Sequence, residues 1–500
     1  MPLILGAIVL AHPAHGAPLF GNPGGYSVDG SPVNLVAGQI DNQPGLDLVT
    51  GNDAGEEGPS LSILRNRGAG SYFPEVRKNI GGGFLLHDLA GGDFNADGAT
   101  DLAVAVDDLS ELNSVVLVYR NNGTGSFGEP ADYPIVGGFF PQCLEAVDAT
   151  GDDILDLVMC HSFGDTAQGL ITILPGLQTE GEPNGQFGPP VNLRLGTLPS
   201  AVAAGDLDDD GFPDLAVSDS EENKVYLLFG NGSAVLFGPG VELGDVSAPG
   251  AIAIAHLEDA NRLPEIAVVS RLAGQLLVYT HTGPRTFGIP SRTQAGILPM
   301  DFSITEVDDD EIPDVVVANT GSGAFSLFLG DGDATFTGAE SVPVPSSPNR
   351  IITADLNDDD LMDVAVLSNE ADRVTVVLNG TDAPFTPTPT ATNTPTVTRT
   401  GTPTRTGSAT RTPTITRTGS ATPTGPTRTP TQTPTINTPT VTRTPSGPGD
   451  ANCDGFINTE DVDGMVRALF APGCSGADVD SSGDVRVNDL LRLTQLLSEE

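Results

Sequence analysis

Five hundred residues are too many for one small domain and leave room for a large repeat array with additional segments. The chain carries 66 acidic against 22 basic residues, which gives a formal charge of −44. Nucleic acids and anionic membrane surfaces are therefore disfavoured as partners, because both require a positive potential, and divalent cations that neutralise carboxylates are favoured.

The first 16 residues are predicted to be a signal peptide. An apolar run from Leu3 to Ala11 precedes small residues, with Ala14 and Gly16 placed to direct cleavage before Ala17. A basic n-region is missing, and a buried first strand is the alternative interpretation. No other segment has the about 20 apolar residues of a membrane span, so we expect a secreted or cell-surface protein.

A sequence unit of about fifty residues recurs seven times between residues 17 and 383. Each unit has an apolar run, an acidic loop and two further apolar runs, separated by turns such as Asn-Gly and Asp-Gly, which predicts three or four antiparallel strands. Seven such units predict an all-β fold, a seven-bladed β-propeller. The last acids of the loops recur at spacings of 49 to 58 residues, at Asp47, Asp101, Asp156, Asp214, Glu265, Asp314 and Asp363.

The two ends of the array predict how the ring closes. The seventh unit stops after its third strand, at Asn379, and "FGNPGGYSVDG" (residues 20–30) resembles the outer strand of the other units. We therefore expect the N-terminal strand to complete the last blade, which removes the open edge of an unclosed array.

Four cysteines predict two disulfides in an exported protein. Cys143 and Cys160 flank an acidic loop almost symmetrically, which places them opposite one another on a hairpin. Cys453 and Cys474 bracket a loop and helix near the C-terminus. Four buried thiols are the alternative.

The acidic loops follow the pattern D-x-[DNT]-x-D-x-x-x-D, and the chain then enters a strand. Oxygen ligands at alternate positions of a tight loop select Ca²⁺. Acids that only solvate a turn are the alternative, which five loops in register disfavour. Units one and five, with Gln39 and Leu257 at position one, are expected to be empty or weak. We expect about five calcium ions, held by Asp93, Asn95, Asp97 and Asp101; Asp148, Thr150, Asp152 and Asp156; Asp206, Asp208, Asp210 and Asp214; Glu306, Asp308, Asp310 and Asp314; and Asp355, Asn357, Asp359 and Asp363.

This part of the chain, roughly residues 20–383, resembles the FG-GAP and VCBS repeats of integrin α-subunit propellers and many bacterial surface proteins. The resemblance implies calcium in the loop between the first and second strands of each blade. It implies far less about the ligand of the propeller, because this fold serves binding, scaffolding and enzymatic roles alike.

Residues 384–448 are predicted to be a linker. The stretch from Pro384 to Pro445 is rich in threonine and proline, with six arginines and no acid, and it lacks apolar surface to bury. Its prolines favour extended polyproline II, so we expect a semi-rigid spacer. Threonines at this density are also candidates for glycosylation.

Residues 449–500 form a separate predicted module with two calcium loops, each followed by a helix. Each loop has glycine at the sixth place and a closing acid at the twelfth, as in an EF-hand. The predicted ligands are Asp450, Asn452, Asp454, the Phe456 carbonyl, Asn458 through water, and Asp461 in the first loop, and Asp478, Asp480, Ser482, the Asp484 carbonyl and Asp489 in the second.

A closing aspartate, with no helix entering the first loop, makes this module similar to a type I dockerin. The second loop departs from that pattern by placing Arg486 at position nine, so its calcium site is expected to be weaker. The resemblance implies folding on calcium and a cohesin-like or other extracellular partner. In dockerins the tenth and eleventh loop positions help to select the cohesin, and in this chain they are Thr459, Glu460, Val487 and Asn488.

No catalytic residue is predicted. The sequence has no G-x-S-x-G, no H-E-x-x-H and no glycine-rich phosphate loop, and calcium accounts for nearly every conspicuous carboxylate pair. The histidines outside the predicted signal peptide are scattered and are interpreted as structural: His87, His161, His256 and His281.

Three functions remain open. The leading hypothesis is a secreted, calcium-stabilised propeller that binds a protein or glycan and is tethered through the dockerin-like module. The second is a polysaccharide-degrading enzyme, or an accessory component, in a cohesin–dockerin assembly; the absence of tryptophan disfavours it, because sugar platforms usually stack on aromatic rings. The third is a structural surface array without a specific ligand.

Overall fold

Seven four-stranded antiparallel sheets and two short hairpins make up the described part of the chain. The computed structural model describes residues 20–53, 58–111, 113–164, 168–232, 240–258, 263–308, 310–345 and 347–380. The chain divides into two units, Met1–Thr394 and Pro395–Glu500. The predicted signal peptide (1–16), linker (384–448), dockerin-like module (449–500) and Cys453–Cys474 pair lie outside the described residues.

Each four-stranded sheet is one blade, in which the strands run in order from the axis outward. Blade one is formed by β2 (Pro32–Gly38), β3 (Asp47–Asn52), β4 (Ser60–Leu64) and β5 (Val76–Asn79). Blade two is formed by β6 (Phe84–Gly92), β7 (Asp101–Asp108), β8 (Asn113–Tyr119) and β9 (Ala131–Ile135). Blade three is formed by β10 (Gly138–Val147), β11 (Asp156–Gly164), β12 (Leu170–Leu174) and β15 (Val191–Arg194), with the hairpin β13 (Gly176–Thr179) and β14 (Glu182–Phe187).

The remaining blades repeat this plan. Blade four is formed by β16 (Pro199–Gly205), β17 (Asp214–Asp219), β18 (Lys224–Leu228) and β19 (Val241–Leu243). Blade five is formed by β20 (Pro249–Ala255), β21 (Glu265–Ser270), β22 (Gln275–Tyr279) and β25 (Ser291–Gln294), with the hairpin β23 (His281–Gly283) and β24 (Thr286–Phe287). Blade six is formed by β26 (Pro299–Thr305), β27 (Asp314–Asn319), β28 (Ala324–Gly330) and β29 (Phe336–Pro343).

Blade seven takes strands from both ends of the described chain. Its inner strands are β30 (Pro348–Ala354), β31 (Asp363–Ser368) and β32 (Arg373–Val377), and its outer strand is β1 (Gly24–Ser27). In the antiparallel register, Gly24 lies opposite Val376 and Ser27 opposite Arg373, and an isolated bridge joins Phe20 to Asn379. The N-terminal strand thus closes the ring.

The hydrophobic core lies between the blades. The second strand of a blade is buried on both faces because it packs between two neighbouring sheets; all six residues of β17 are buried, and so are those of β27. The buried side chains form seven clusters, and each cluster joins two successive blades, the last joining blades seven and one. The predicted seven-bladed, all-β propeller is confirmed over the described residues.

Helical structure among the described residues is limited to two single turns of 3-10 helix, η1 (Thr320–Ser322) and η2 (Asn369–Ala371). No helix in this part of the chain has the length and apolar character needed to cross a membrane.

The predicted disulfide between Cys143 and Cys160 is confirmed. The two residues lie directly opposite one another on β10 and β11, with a Cα–Cα distance of 5.0 Å. The bond therefore ties the innermost strand of blade three to the second strand near the middle of β10, four residue pairs from the acidic loop.

Candidate metal sites

The acidic loops connect the first strand of each blade to the second, so all of them lie on one rim of the ring. The residues of each loop are numbered from one to nine. Position nine is the last acid of the loop and the first residue of the second strand, as Asp214 is in β17. We call these nine-residue segments the rim loops.

In blades two, three, four, six and seven, the rim loop is organised around the acid at position one. In blade four, Asp206 accepts hydrogen bonds from the backbone N–H groups of Asp210 (3.2 Å) and Gly211 (2.9 Å). The carboxylate at position five turns the chain in the same way, since Asp210 accepts the N–H of Phe212 at 3.0 Å. The same pair of backbone bonds recurs around Asp93, Asp148 and Asp355, and in blade six Glu306 accepts the N–H of Asp310 at 3.2 Å.

In blades two, three, four, six and seven, position six of the rim loop adopts the left-handed backbone conformation whether or not it is glycine. Gly98 and Gly211 have φ values of 86° and 87°. Asp153, Glu311 and Asp360, which replace the glycine in blades three, six and seven, have φ values of 65°, 65° and 66°. Loss of the glycine therefore leaves the turn intact, at the cost of a strained residue.

Two rim loops bring three carboxylates together. One oxygen from each of Asp206, Asp208 and Asp210 lies within 4.8 Å of the others, and the same holds for Glu306, Asp308 and Asp310. In blades two, three and seven, position three supplies an amide or hydroxyl oxygen instead of a carboxylate, from Asn95, Thr150 and Asn357.

The acid at position nine has a second partner that the sequence did not reveal. Asp214 is fully buried, and its two oxygens accept the N–H of Leu207 at position two (2.9 Å) and that of Gly230 after the third strand (2.7 Å). In blade one, which lacks an acid at position one, Asp47 makes the equivalent bonds with Ile40 (3.2 Å) and Asn66 (2.6 Å). The position-nine acid therefore fixes the blade irrespective of any metal.

Burial leaves these position-nine carboxyls poorly solvated. Desolvation raises the pKa of Asp47, and likewise that of Asp214, to about 6, although the backbone N–H groups favour the ionised form and lower it. A nearby divalent cation would oppose this shift, because it stabilises the carboxylate.

Blade five differs from the alignment expected from its sequence. Counting back from Glu265 places Leu257 at position one, but the N–H of Leu257 bonds to the Glu265 carboxylate at 2.7 Å, which is the role of position two in the other loops. This loop is therefore one residue longer, and Leu257 is a buried core residue.

The donor set of the rim loops fits a hard divalent cation. Oδ1 of Asp208 and Oδ1 of Asn357 are both buried and have no hydrogen-bond partner among the described residues. Buried oxygens without a donor are costly, and a bound cation would satisfy them. Oxygen ligands of this number and charge match Ca²⁺ better than transition metals, which select nitrogen and sulfur.

Charged residues also converge on the axis, a feature that sequence periodicity missed. Asp88 accepts the N–H of Leu144 in blade three at 2.7 Å, and Asp301 accepts the N–H of Ile351 in blade seven at 2.9 Å. Glu145, on the innermost strand of blade three, is exposed to solvent. Its enclosure by the innermost strands, reinforced by the charges of Asp88 and Asp301, raises its pKa to about 8.

Two of the four histidines, His87 and His161, contact neighbouring polar side chains. His87 pairs with Asp107 at 2.9 Å, and Ser114 donates to the other oxygen of the same carboxylate at 2.7 Å. Both groups thus bind the acid rather than one another, so His87 and Ser114 do not form a serine–histidine pair. His161 is fully buried, and its Nε2 lies 3.2 Å from the Thr172 hydroxyl.

Sequence comparison assigns the repeats. The FG-GAP-like repeat matches residues 93–159 and 306–366, each starting at position one of a rim loop, and the FG-GAP repeat matches residues 198–228. The propeller carries FG-GAP repeats. No curated protein sequence matches the chain.

Solved structures similar to this FG-GAP propeller include "BBS1N in complex with ARL6DN", which is 13% identical, with a TM-score of 0.47 over 72% of this chain and 97% of that chain. A protein from Lactobacillus plantarum is also 13% identical, with a TM-score of 0.45 over 62% of this chain and 86% of that chain.

Proposed function

We propose that this protein is a secreted or cell-surface, calcium-stabilised β-propeller that acts as a binding or scaffolding module and is tethered through its dockerin-like C-terminal module. The FG-GAP propeller itself suggests a binding or scaffolding role. The observation that carries the calcium proposal is the clustering of Asp206, Asp208 and Asp210, repeated by Glu306, Asp308 and Asp310.

Calcium has a physical role in such a ring. The formal charge of −44 is concentrated on the folded parts, and the rim loops set several carboxylates side by side. Their mutual repulsion opposes folding until a cation neutralises it. An ion that binds only the folded loops stabilises the ring by mass action, so stability depends on the free calcium concentration.

Calorimetric titration of the calcium-free full chain tests this proposal. The expected result is about five sites in the propeller and one or two in the dockerin-like module. Chelation is expected to lower the melting temperature of the propeller and to abolish the helical circular dichroism signal of the C-terminal module. Absence of calcium binding, with an unchanged melting temperature in EDTA, would refute the calcium proposal.

The proposed partner interactions need a separate experiment. The full chain is used as bait in extracts of cell-surface protein and glycan, with and without EDTA, beside a variant with Thr459→Ala, Glu460→Ala, Val487→Ala and Asn488→Ala. Partners of the propeller are expected to be retained by the variant, and a cohesin-like partner to be lost. If neither bait retains a calcium-dependent partner, the binding role is wrong and a purely structural array is favoured.

A further inference from the structure

Arg285 lies at the tip of the hairpin formed by β23 and β24 in blade five, two residues before Phe287. Its side chain leaves its own blade and reaches the rim loop of blade four. Nε pairs with the Asp208 carboxylate, and Nη2 lies 3.4 Å from Oδ2 of Asp210. The guanidinium carbon also lies 4.5 Å from the centre of the Phe229 ring.

Other blades have a residue that is structurally equivalent to Arg285. In each of them it lies two residues before an aromatic residue, as Arg285 lies two before Phe287. The equivalent residues have φ values between 56° and 76°. In three blades the backbone N–H at this position bonds to the carbonyl at position two of the preceding rim loop: Gly125 to Ile40 (3.0 Å), Gly185 to Phe94 (2.8 Å) and Ala334 to Leu257 (3.2 Å). The set comprises Gly70, Gly125, Gly185, Arg285 and Ala334.

A side chain at this position points at the preceding rim loop. A Cβ on Gly125 would lie 3.0 Å from Cβ of Asp41, and a Cβ on Gly185 would lie 3.2 Å from Cβ of Asn95. Asp41 and Asn95 are the position-three residues of their loops, as Asp208 is in blade four. The contact between Arg285 and Asp208 therefore follows from the geometry of the ring.

Arg285 is also held in a backbone conformation that favours glycine, with φ of 56°. Glycine occupies the equivalent position in blades one, two and three, and alanine occupies it in blade six. An arginine in this left-handed conformation is strained relative to a glycine, because its Cβ crowds the following carbonyl oxygen. Its pairing with two carboxylates offsets that strain, and the charge is placed where a metal ion would bind.

The Arg285 guanidinium and a divalent ion would compete for the carboxylates of the blade-four rim loop. The side chain of Asp208 is only 4% exposed, whereas that of Arg285 is 45% exposed, so the guanidinium covers the loop from its solvent side. A divalent ion would bind the same two carboxylates, Asp208 and Asp210, that the guanidinium contacts, and two cations held this close together repel one another.

We infer that Arg285 is a built-in counter-cation of the blade-four rim loop and must leave Asp208 before a divalent ion binds there. This inference rests on the proposed calcium binding. Competition from Arg285 would make blade four a weaker calcium site than blade two, although the blade-four loop has the full acidic pattern and the glycine. Metal binding in blade four would also be coupled to release of the tip of the blade-five hairpin.

Calcium titration of the full chain tests the inference, with Arg285→Ala as the variant, because alanine occupies the equivalent position in blade six. Arg285→Gly is the second variant, and Arg292→Ala is the matched control, since Arg292 lies in the same blade and bonds to the Asp245 carbonyl instead. Both Arg285 variants are expected to tighten one site by about tenfold or more. Adding Asp208→Asn is expected to abolish that gain.

A second readout does not involve calcium. In EDTA, Arg285→Ala is expected to melt at a lower temperature than both the wild type and Arg292→Ala, because the carboxylates of blade four lose their counter-charge. Calcium binding that is unchanged by Arg285→Ala, or changed equally by Arg292→Ala, overturns the role of Arg285 and leaves the calcium proposal standing. No calcium binding by any of the proteins overturns both.

Discussion

The side-chain amide of Asn121 donates a 2.8 Å hydrogen bond to the backbone carbonyl of Ile40, which belongs to the rim loop of the preceding blade. The backbone N–H of the same asparagine donates to Asp101 of its own blade at 2.6 Å. Asn66 and Asn379 make the corresponding pairs of bonds, to the carbonyls of Leu356 and Val307. Three consecutive junctions, between blades six and seven, seven and one, and one and two, are therefore joined by an asparagine.

Substitution of Asn121 by alanine is expected to lower the free energy of unfolding by about 0.5–1.5 kcal/mol, because the inter-blade hydrogen bond is lost and the Ile40 carbonyl keeps only the N–H of Gly125 as a donor. Asn122→Ala is the matched control, since Asn122 is exposed and bonds only to the neighbouring Thr124. The control is expected to change stability by no more than about 0.5 kcal/mol. Urea unfolding of both proteins makes the comparison, and equal losses would contradict the role of the inter-blade bond.

Replacing Glu311 by glycine is expected to stabilise the propeller. Glu311 is exposed, with φ of 65°, at the position that is glycine in blades two and four. Relief of the left-handed strain outweighs the greater freedom of glycine in the unfolded chain, for a net gain of about 0.5–1 kcal/mol. Glu311→Ala keeps the strained conformation and serves as the control. A glycine variant no more stable than the alanine variant would show that the turn is unstrained.

Glu145 is expected to make the propeller less stable as the pH rises. Its pKa in the folded protein, about 8, lies above its ordinary value of 4.5, so ionisation is less favourable in the folded state than in the unfolded chain. The stabilising effect of its proton is complete below pH 4.5 and is lost as the pH rises through 8. Glu145→Gln should therefore raise the melting temperature near about pH 9, with little effect near about pH 4.

The control for that experiment is Glu182→Gln, which makes the same formal charge change at an exposed position. Its melting temperature is expected to follow that of the wild type across the pH range. Parallel curves for the two variants would mean that Glu145 is well solvated at the axis.

Removal of a position-one acid is expected to delete a single calcium site. Asp355→Ala takes away the carboxylate around which the blade-seven loop folds, so calorimetry is expected to count one ion fewer than in the wild type. Asp41→Ala in blade one removes an acid from a loop without a position-one carboxylate and is expected to leave the count unchanged. A loss of one ion in both variants would assign a calcium site to blade one as well.

The blades themselves were predictable because their signals are local in the chain. The residues that follow Asp214, Leu215 to Val217, are all apolar because β17 is buried on both faces, and the recurrence of such a run at a regular spacing indicates the number of sheets. The Cys143–Cys160 pair was predictable for the same reason, because a hairpin places residues flanking a loop opposite one another.

Contacts between blades were not predictable from sequence periodicity. The pairing of Arg285 with Asp208 joins residues 77 apart in sequence, and its existence depends on the angle at which successive blades meet around the axis. The second role of the position-nine acids was also missed. An acid at the start of a strand looks the same in sequence whether it binds a metal or accepts the backbone N–H of Leu207.

The strand that closes blade seven has a kinetic consequence. Tyr26 pairs with Val374, so an early segment of the chain stays without its partner until almost the whole propeller has been synthesised. Contacts over such long sequence separations form slowly, because the chain loses the entropy of loop closure before the contact contributes any stabilising free energy. A chain interrupted before β32 would expose two incomplete sheet edges, and chaperones would meet the protein in that state.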